Sequence, residues 1–276
     1  MAQKSDTLIT YSFNGIPTKK ISKATSIYKI FKKDSTTWVR TTSDKNFVIV
    51  KKESFSDSAF TVLNGNYVEY KSGKTYLKGY YIQNIKQGVW LRYDSTGQAV
   101  DSRAYVGGKL NGPFVRYWKN ASILEQANYI DNRFVGERKV FYENGNLAIK
   151  EVYDSAHKLI DSTYLTINGA RTKKQNLEKK PIFGWGGTFP SYVSHEIHDI
   201  KAISQFDRFT YSISFIVDEN GLVSDVRLDQ TSIPSVGKEA VRIVKESPKW
   251  KPGTLLGKPI ASDMSIDIFS VFTPIN

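Results

Sequence analysis

The histidines are the residues of this chain that could most readily bind a metal or move a proton. His195 and His198 lie in the stretch HEIH, with Glu196 between them and Asp199 directly after them. A metalloprotease helix needs the spacing His-Glu-x-x-His, so that both rings lie on one helix face and reach one zinc ion. The second histidine comes one position too early here. We therefore interpret the stretch as a surface helix and predict no metal site.

Nucleophilic and phosphate-binding motifs are equally incomplete. The chain has no cysteine, which excludes disulfides, thiol catalysis and thiolate metal sites. Ser26 and Lys29 in SIYK lie in a strand-like segment, whereas a Ser-Lys acylase places this pair at the start of a helix. Gly184, Gly186 and Gly187 lack the spacing and the Lys-Ser/Thr of a phosphate loop. We predict a non-enzymatic protein with no catalytic residues and no cofactor.

The positive charge is concentrated in the front part of the chain. Residues 1–188 carry 30 Lys and Arg against 16 Asp and Glu, whereas residues 189–276 carry nine against eleven. A basic surface attracts nucleic acid, anionic lipid or an acidic envelope polymer. Because the lysines are scattered among turns, a solvated surface is the simplest interpretation. We keep an anionic envelope polymer or lipid as a possible partner and predict no binding of nucleic acid.

A period of 24 residues organises the middle of the chain. The tyrosines that define it are Tyr81, Tyr105, Tyr129 and Tyr153, and the matching glycines are Gly65, Gly88, Gly112 and Gly136. Each unit contains a glycine turn, an alternating run, a second turn and a return strand, which predicts one β-hairpin per repeat. A lone hairpin cannot bury an apolar face. We therefore predict one elongated antiparallel sheet over residues 63–167, with the tyrosines as a core ladder.

These units resemble MORN repeats, and more narrowly the MORN-like repeats of bacterial envelope proteins, in their Gly, Trp or Phe, Tyr and Asn-Gly positions. The resemblance implies a scaffold or binding surface rather than one particular activity. Residues 1–62 alternate in the same way with weaker spacing, and we predict a strand-rich capping region there. The tyrosine ladder is expected to be core rather than a ligand platform.

The composition and the hydrophobic pattern of the sequence change after the repeats. Residues 168–188 lose the tyrosine period and are rich in lysine, which predicts a basic linker. From residue 189 to 276 the pattern predicts an α+β domain in the order helix, strand, strand, helix, strand. The first helix is predicted to continue through Ile200 and Ile203. The second is predicted from about Ser235 to Glu246, because the residue before Pro248 is pushed out of the helical region.

This last region, from about Phe189 to Phe272, resembles the C-terminal domain of TonB-type energy transducers in FIVDENGLVSDVRL and SPKWKPGTLLGKP. The resemblance implies a TonB-like α-β-β-α-β domain whose last strand is partly unpaired and captures an extended peptide by strand addition. It also implies that Trp250 clamps the end of the second helix while Pro252 and Gly253 turn the chain into that strand. The residues assigned to the peptide-binding strand are Ser265, Ile266, Asp267, Ile268, Phe269 and Ser270.

The predicted function is a cell-envelope adaptor that binds an N-terminal segment of a TonB-dependent outer-membrane receptor, or another envelope protein. The alternative is a MORN-repeat scaffold that forms a homodimer through its C-terminal domain and binds envelope polymer, lipid or protein through the basic repeats. The polar start MAQKSDT fits both a cytosolic start and a mature terminus that follows a removed signal peptide or anchor. The predicted location is the periplasm or cell envelope.

Overall fold

The computed structural model describes residues 7–184, 187–198 and 208–271. The chain divides into two compact units, Met1–Arg171 and Thr172–Asn276. The prediction of a mostly β protein with a long antiparallel sheet is confirmed, because the first unit contains a 14-stranded antiparallel sheet. Among the described residues, none of the helices combines the length and the hydropathy that a membrane crossing requires.

From residue 7 onward, where the structure describes it, the first unit contains fourteen short strands. They are β1 (Leu8–Phe13), β2 (Ile16–Thr18), β3 (Ser26–Lys32), β4 (Trp38–Asp44), β5 (Ile49–Phe55), β6 (Leu63–Lys71), β7 (Lys74–Ile82), β8 (Ile85–Tyr93), β9 (Ala99–Val106), β10 (Lys109–Tyr117), β11 (Ile123–Ile130), β12 (Arg133–Phe141), β13 (Leu147–Tyr153) and β14 (Leu159–Tyr164). Neighbours follow chain order from β3 to β14, and β1 lies between β2 and β3. The region 1–62, predicted to cap the repeats, therefore contributes five strands to the same sheet.

The repeat period has a direct cause in the strand register. Each repeat glycine lies opposite the tyrosine of the return strand, in the pairs Gly65–Tyr81, Gly88–Tyr105, Gly112–Tyr129 and Gly136–Tyr153. The φ angles of these glycines lie between 66° and 120°, a range that residues with a side chain rarely adopt. The glycine therefore recurs every repeat because the backbone has a positive φ at that position. The tyrosine recurs because it is the residue that pairs with this glycine on the next strand.

The tyrosines pack together with tryptophan and phenylalanine rings in two groups, Tyr67, Tyr81, Trp90 and Tyr105, then Phe114, Tyr129, Phe134 and Tyr153. Trp90 is the centre of the first group and is 2% exposed. It lies so close to Gly79 that a Cβ there would come within 2.2 Å of the indole ring. The ladder is therefore a core of mixed aromatic rings.

Side chains in the turns connect successive hairpins. The carbonyl oxygen of the Asn84 side chain accepts a hydrogen bond of 2.7 Å from the backbone N–H of Leu63, and Asn132 accepts one of 2.7 Å from Leu110. The ring Nδ1 of His157 lies 3.0 Å from the carbonyl oxygen of Phe134. His157 thus occupies a turn position that is used for connecting repeats.

A row of largely buried charged and polar side chains runs across the aromatic face of the same sheet. One member from each strand β8 to β14 carries the row, and these are Arg92, Asp101, Arg116, Glu125, Arg138, Glu151 and Tyr164. Arg103, also on β9, pairs with Asp101 at 3.2 Å. Arg138 donates hydrogen bonds of 2.7 Å to Glu125 and 2.8 Å to Glu151. Tyr164 closes the row by donating its hydroxyl to Glu151 at 2.7 Å. The signs alternate strand by strand, so each carboxylate has a donor on both sides.

This row is costly to build and costly to break. Burying an unpaired ion costs several kcal/mol, and a paired one is tolerated only when its remaining hydrogen-bonding positions are also satisfied. Burial raises the pKa of the Glu125 carboxyl, but the charges of Arg138 and Arg116 outweigh it and hold that pKa below its ordinary value. Arg103 and Arg92 hold the pKa of buried Asp101 well below its usual range in the same way.

The described residues of the second unit form nine elements. They are α1 (Lys174–Leu177), β15 (Glu178–Lys179), α2 (Phe189–His198), β16 (Arg208–Val217), β17 (Val223–Thr231), α3 (Pro234–Lys245), β18 (Gly253–Leu255), β19 (Lys258–Ile260) and β20 (Ser262–Val271). They form two antiparallel sheets, ordered β17-β16-β20 and β15-β18-β19. The predicted continuation of the first helix through Ile200 and Ile203 lies outside the described residues.

The segment predicted as a linker, residues 168–188, differs in structure from that prediction. Lys179 pairs with Thr254 in the smaller sheet, and Ile182 bridges to Lys251. Phe183 packs against the hydrophobic core of the second unit. Strand pairing satisfies backbone groups of Lys179 and Ile182, and Phe183 buries apolar surface. The second unit therefore begins at Thr172.

The core of the second unit lies between the helices α2 and α3 and the sheet β17-β16-β20. Val193 and Ile197 of α2 and Val244 of α3 are fully buried, as are Ile213 and Val217 of β16. In a strand, alternate side chains point to the same face. Both helices therefore pack on one face of this sheet, and the other face carries its polar side chains.

The charged row predicts how stability depends on pH. A carboxyl whose pKa is lower in the folded than in the unfolded state contributes stability above its unfolded value of about 4, and loses it as the pH falls through the folded value. We expect the free energy of unfolding of the first unit to stay constant from pH 8 to about 5 and to fall steadily below about pH 4. Urea unfolding followed by circular dichroism at several pH values measures this.

Glu125→Gln is the matched variant. It leaves Arg116 and Arg138 buried without their charge partner, and should cost about 3 kcal/mol at pH 7. It should also flatten the acid slope, because one titrating group is gone. An unchanged slope would show that other carboxylates control the acid response.

Candidate functional site

The last strand, β20, lies at an edge of the sheet β17-β16-β20. It pairs with β16 over ten consecutive residues, from Arg208–Val271 to Val217–Ser262, without a register shift. In the part of the chain that the structure describes, β20 has no strand on its other side. Edge strands present a row of backbone donors and acceptors that another strand can use. The segment assigned to peptide binding therefore lies at such an edge.

Hydrogen bonds on the far side of β16 identify which amides of β20 point outward. The backbone carbonyl of Thr210 in β16 accepts a hydrogen bond from the backbone N–H of Ser232, just after β17. The backbone N–H of Asp218, just after β16, donates to the carbonyl of Leu222, just before β17. The even-numbered residues of β16 therefore direct their backbone groups toward β17. In an antiparallel ladder the groups of successive residues alternate in direction. The odd-numbered residues of β16, such as Tyr211, therefore bond toward β20.

The register carries this alternation across to β20. Tyr211 pairs with Ile268 and Ile213 pairs with Ile266, so these two residues of β20 direct their backbone groups toward β16. Ser265, Asp267 and Phe269 lie between and beyond them and direct theirs outward. Three of the six predicted residues thus supply the open donors and acceptors.

The side chains of β20 separate into two faces in the same alternation. Ile266 and Ile268 are buried at 7% and 8% exposure, and Met264 packs against the same core. Ser265 and Asp267 are exposed. The backbones of Phe269 and Ser270 belong to β20, while their side chains lie outside the described part of the chain. The residues with outward amides are therefore also those whose side chains leave the core.

The exposed face of this sheet carries carboxylates and serines, together with Arg227 of β17 opposite Ser214. Ser212 donates its hydroxyl to Asp267 at 2.5 Å, across the pair that joins β16 to β20. Ser214 donates to Asp229 of β17 at 3.0 Å. Asp263 is a further exposed carboxylate on the same face of β20. An incoming strand would therefore meet carboxylates beside its backbone.

The opposite edge of the sheet is less regular. The pairing of β17 with β16 is interrupted by two register shifts, and Asp225 has a positive φ of 51°. Bulges of this kind twist an edge and discourage further pairing. Of the two edges, β20 is therefore the better acceptor for a strand.

Trp250 is part of the core that supports this sheet. It is 5% exposed, and its ring lies 4.6 Å from that of Phe189, 4.9 Å from Phe183 and 5.8 Å from Phe215, between ring centroids. The resemblance implied a contact across the end of the second helix. These rings come instead from the start of α2, from β16 and from the segment before α2. Trp250 therefore joins three parts of the unit.

The backbone of Trp250 is also fixed against the turn between β16 and β17. Its N–H donates to the carbonyl of Gly221 at 2.9 Å. A Cβ on Gly221 would lie 2.0 Å from the carbonyl oxygen of Trp250, and the φ of Gly221 is +80°. Only glycine meets both conditions. The two stretches that carry the sequence resemblance thus touch each other.

Pro252 and Gly253 differ from their predicted role. Gly253 begins β18, which pairs with β15 and β19, so these residues lead into the smaller sheet and not directly into the last strand. A Cβ on Gly253 would come within 2.5 Å of the Ser262 hydroxyl. Glycine is needed here because the start of β20 passes close by. The short hairpin of β18 and β19 was not predicted from the sequence.

The other chemically capable residues do not form a site. Ser26 and Lys29 lie three positions apart in β3, so their side chains point to opposite faces. His195 is exposed on α2, and the side chain of His198 is outside the described part. Within residues 7–184, 187–198 and 208–271, no group of three or more His, Cys, Asp or Glu could hold a metal.

Comparisons with known proteins do not assign a family. No protein-family model matches the chain, and no curated protein matches it. Among solved structures, a match is a mutant of Staphylococcus aureus TarM in complex with fondaparinux, alpha-GlcNAc-glycerol and UDP. It has 9% identity and a TM-score of 0.15, and covers 54% of this chain and 22% of the TarM chain.

TarM is a glycosyltransferase, so the comparison does not support the prediction of a non-enzymatic protein, and that prediction is withdrawn. With a TM-score of 0.15, the match gives no argument for such an activity in this chain either.

The position of Trp250 predicts a local loss of stability. Trp250→Ala removes the ring that joins α2 and β16, and should lower the free energy of unfolding of the second unit by about 3 kcal/mol. Hydrogen exchange followed by mass spectrometry on the full chain should show faster exchange in β16 and β17, with the first unit unchanged.

Trp118→Ala is the reciprocal control. Trp118 donates its indole N–H to the carbonyl of Phe141 at 3.0 Å in the first unit. Its loss should affect only that unit. Unchanged protection of β16 and β17 in Trp250→Ala would contradict a role for Trp250 in the core.

Proposed function

We propose that the second unit captures an extended peptide by strand addition to the outer edge of β20. The observation that carries the proposal is the set of outward backbone groups at Ser265, Asp267 and Phe269, which follows from the register of β20 on β16. Each outward residue offers one donor and one acceptor. A peptide that pairs with three such residues forms a ladder without any rearrangement of the sheet.

The edge is fixed before a peptide arrives. Ten residue pairs join β20 to β16, and Ile266 and Ile268 attach β20 to the core. Binding to a fixed edge avoids the entropy cost of ordering it, which leaves more of the interaction energy for affinity. In strand addition the main chain supplies affinity and the alternate side chains supply specificity.

The same proposal includes a location and a class of partner. The chain acts as a cell-envelope adaptor that resembles a TonB energy transducer, and the captured segment is the N-terminal part of a TonB-dependent outer-membrane receptor or of another envelope protein. The two helices on one face of a three-stranded sheet, and the Trp250–Gly221 contact between the two resembling stretches, support this proposal.

Proline substitution at the edge tests strand addition. Asp267→Pro and Phe269→Pro each remove an outward N–H and place a ring where the incoming strand would lie. Proline is tolerated in edge strands when its position faces solvent. We expect binding of labelled peptides from receptor N-terminal segments to weaken by at least about tenfold in either variant, since a ladder hydrogen bond is lost and the strand is displaced. Fluorescence anisotropy measures the affinity.

Asp267→Ala and Phe269→Ala are the matched controls, because they shorten the same side chains and keep the amide. Ser265→Ala should be nearly silent. Circular dichroism checks that the proline variants stay folded. Binding that survives both prolines in folded protein would contradict capture at this edge.

A second candidate function has its own observation in the first unit. Lys29, Lys52 and Lys78 are exposed and lie in one line across the sheet, joined in register through Thr41 and Val68. Neighbouring strands are about 4.8 Å apart, so the three ammonium groups arise at intervals of about 10 Å on β3, β5 and β7. A straight basic row of this kind favours a linear anionic polymer of the envelope.

Replacing the three lysines by alanine tests this second function. We expect binding to dextran sulfate to weaken more in Lys29/Lys52/Lys78→Ala than in Lys109/Lys119/Lys158→Ala, which removes the same total charge from dispersed positions. Equal losses would show that net charge alone attracts the polymer. Vesicles with anionic lipid, tested alongside, distinguish a membrane surface from a polymer.

A further inference from the structure

We infer that the segment captured by β20 is basic on its solvent face and apolar on its other face, and that the carboxylates of β20 oppose pairing with a second copy of the chain. This inference rests on the proposed strand addition, and it specifies the chemistry of the partner. It is carried by the positions of Asp263 and Asp267 relative to the outward amides.

The carboxylates belong to the part of β20 that an added strand would touch. Asp263, Ser265 and Asp267 share one face, are exposed, and have the odd numbers that direct backbone groups outward. Residues directly opposite each other on paired strands have Cβ atoms about 5 Å apart. Three alternate residues of the captured segment would therefore face Asp, Ser and Asp in turn.

Opposite charges at directly facing positions stabilise a strand pair, and like charges destabilise it. The Ser212 hydroxyl occupies one oxygen of Asp267, and the carboxylate stays exposed. A segment with Lys or Arg at two positions four residues apart, and a small polar residue midway, complements this face. A segment with Glu or Asp at those two positions does not.

The opposite face of β20 sets the remaining positions. Met264, Ile266 and Ile268 form the apolar edge of the core on the side where α2 and α3 pack. Side chains of the captured segment that extend this face would cover apolar surface, which favours valine or isoleucine there. The partner is therefore a strand that alternates basic or polar residues with aliphatic ones.

The same carboxylates weigh against the homodimer of the alternative function. An antiparallel pair of two β20 edges centred on Ser265 would place Asp263 of each copy opposite Asp267 of the other. A pair centred on Asp267 would place that carboxylate opposite itself. Charges on an edge strand are a common protection against such pairing. The edge is therefore open to a basic strand and closed to its own copy.

Two designed peptides of equal length test the inference, one with the repeat Lys-Val-Ser-Val-Lys and one with Glu-Val-Ser-Val-Glu. Each is titrated against the full chain by fluorescence anisotropy at low and moderate salt. We expect the basic peptide to bind at least about tenfold more tightly than the acidic one, with a preference that shrinks as salt rises. The Asp263→Asn/Asp267→Asn variant should lose the preference.

Asp229→Asn is the control, because it removes an exposed carboxylate of the same sheet that lies on β17 and away from the β20 edge. It should keep the preference for the basic peptide. Light scattering of Asp263→Asn/Asp267→Asn should also show more dimer than the parent chain. Equal affinity for the two peptides, with binding still lost in Phe269→Pro, would overturn the inference and leave strand addition standing. Failure of both designed peptides to bind while a receptor segment still binds would also overturn the inference alone, and failure of all three would overturn strand addition itself.

Discussion

The unbroken pairing of β16 with β20 is the constraint on which the candidate site depends. Because no bulge interrupts those ten pairs, face and direction stay linked along the whole strand. Residues that turn their amides outward also turn their side chains away from the core, and residues that bond to β16 also bury their side chains. One bulge would exchange these roles beyond it. The neighbouring strand β17 carries such shifts, and its edge is correspondingly irregular.

The first unit satisfies a different constraint, which is the need to bury one face of a sheet without a second sheet against it within the repeats. Aromatic rings opposite glycines provide part of that burial, and long charged side chains provide the rest. Arg138 is 2% exposed and Glu151 is fully buried, yet Arg138 bonds to Glu125 and Glu151, and Glu151 also accepts a hydrogen bond from Tyr164. The apolar stems of such residues cover surface while their heads pair.

Periodicity predicted the repeats well, because glycine and tyrosine recur where the backbone requires them. The charged row was missed, although part of its signal is present: Arg116 and Glu125 each follow Arg92 and Asp101 by 24 residues. In the next pair, Arg138 lies two positions before the place that the 24-residue period gives it, and Glu151 lies two positions after its own. A search with a fixed period therefore does not find this pair. A shift of two keeps a side chain on the same face of a strand.

The linker and the loop around Trp250 show the limit of local pattern. Phe183 follows a run of lysines and a proline, and only its contact with Phe189 and Trp250 explains why the segment folds onto the second unit. The alternation of Ile266, Asp267 and Ile268 predicted two faces, but the direction of the outward amides required the hydrogen bonds of β16 to β17. Contacts between residues distant in sequence supply what periodicity cannot.

The alternating signs of the charged row restrict how such an array can change its length. Along the row from Arg92 through Asp101, Arg116, Glu125 and Arg138 to Glu151, each side chain has the sign opposite to that of its neighbours on the adjacent strands. Duplication of a whole hairpin adds one arginine and one carboxylate and preserves the order. Duplication of a single strand would place two like charges side by side in a buried row. The array is therefore free to grow or shrink in evolution by hairpins, in steps of two strands, and the row stops where Tyr164 offers a neutral hydroxyl in place of the next arginine.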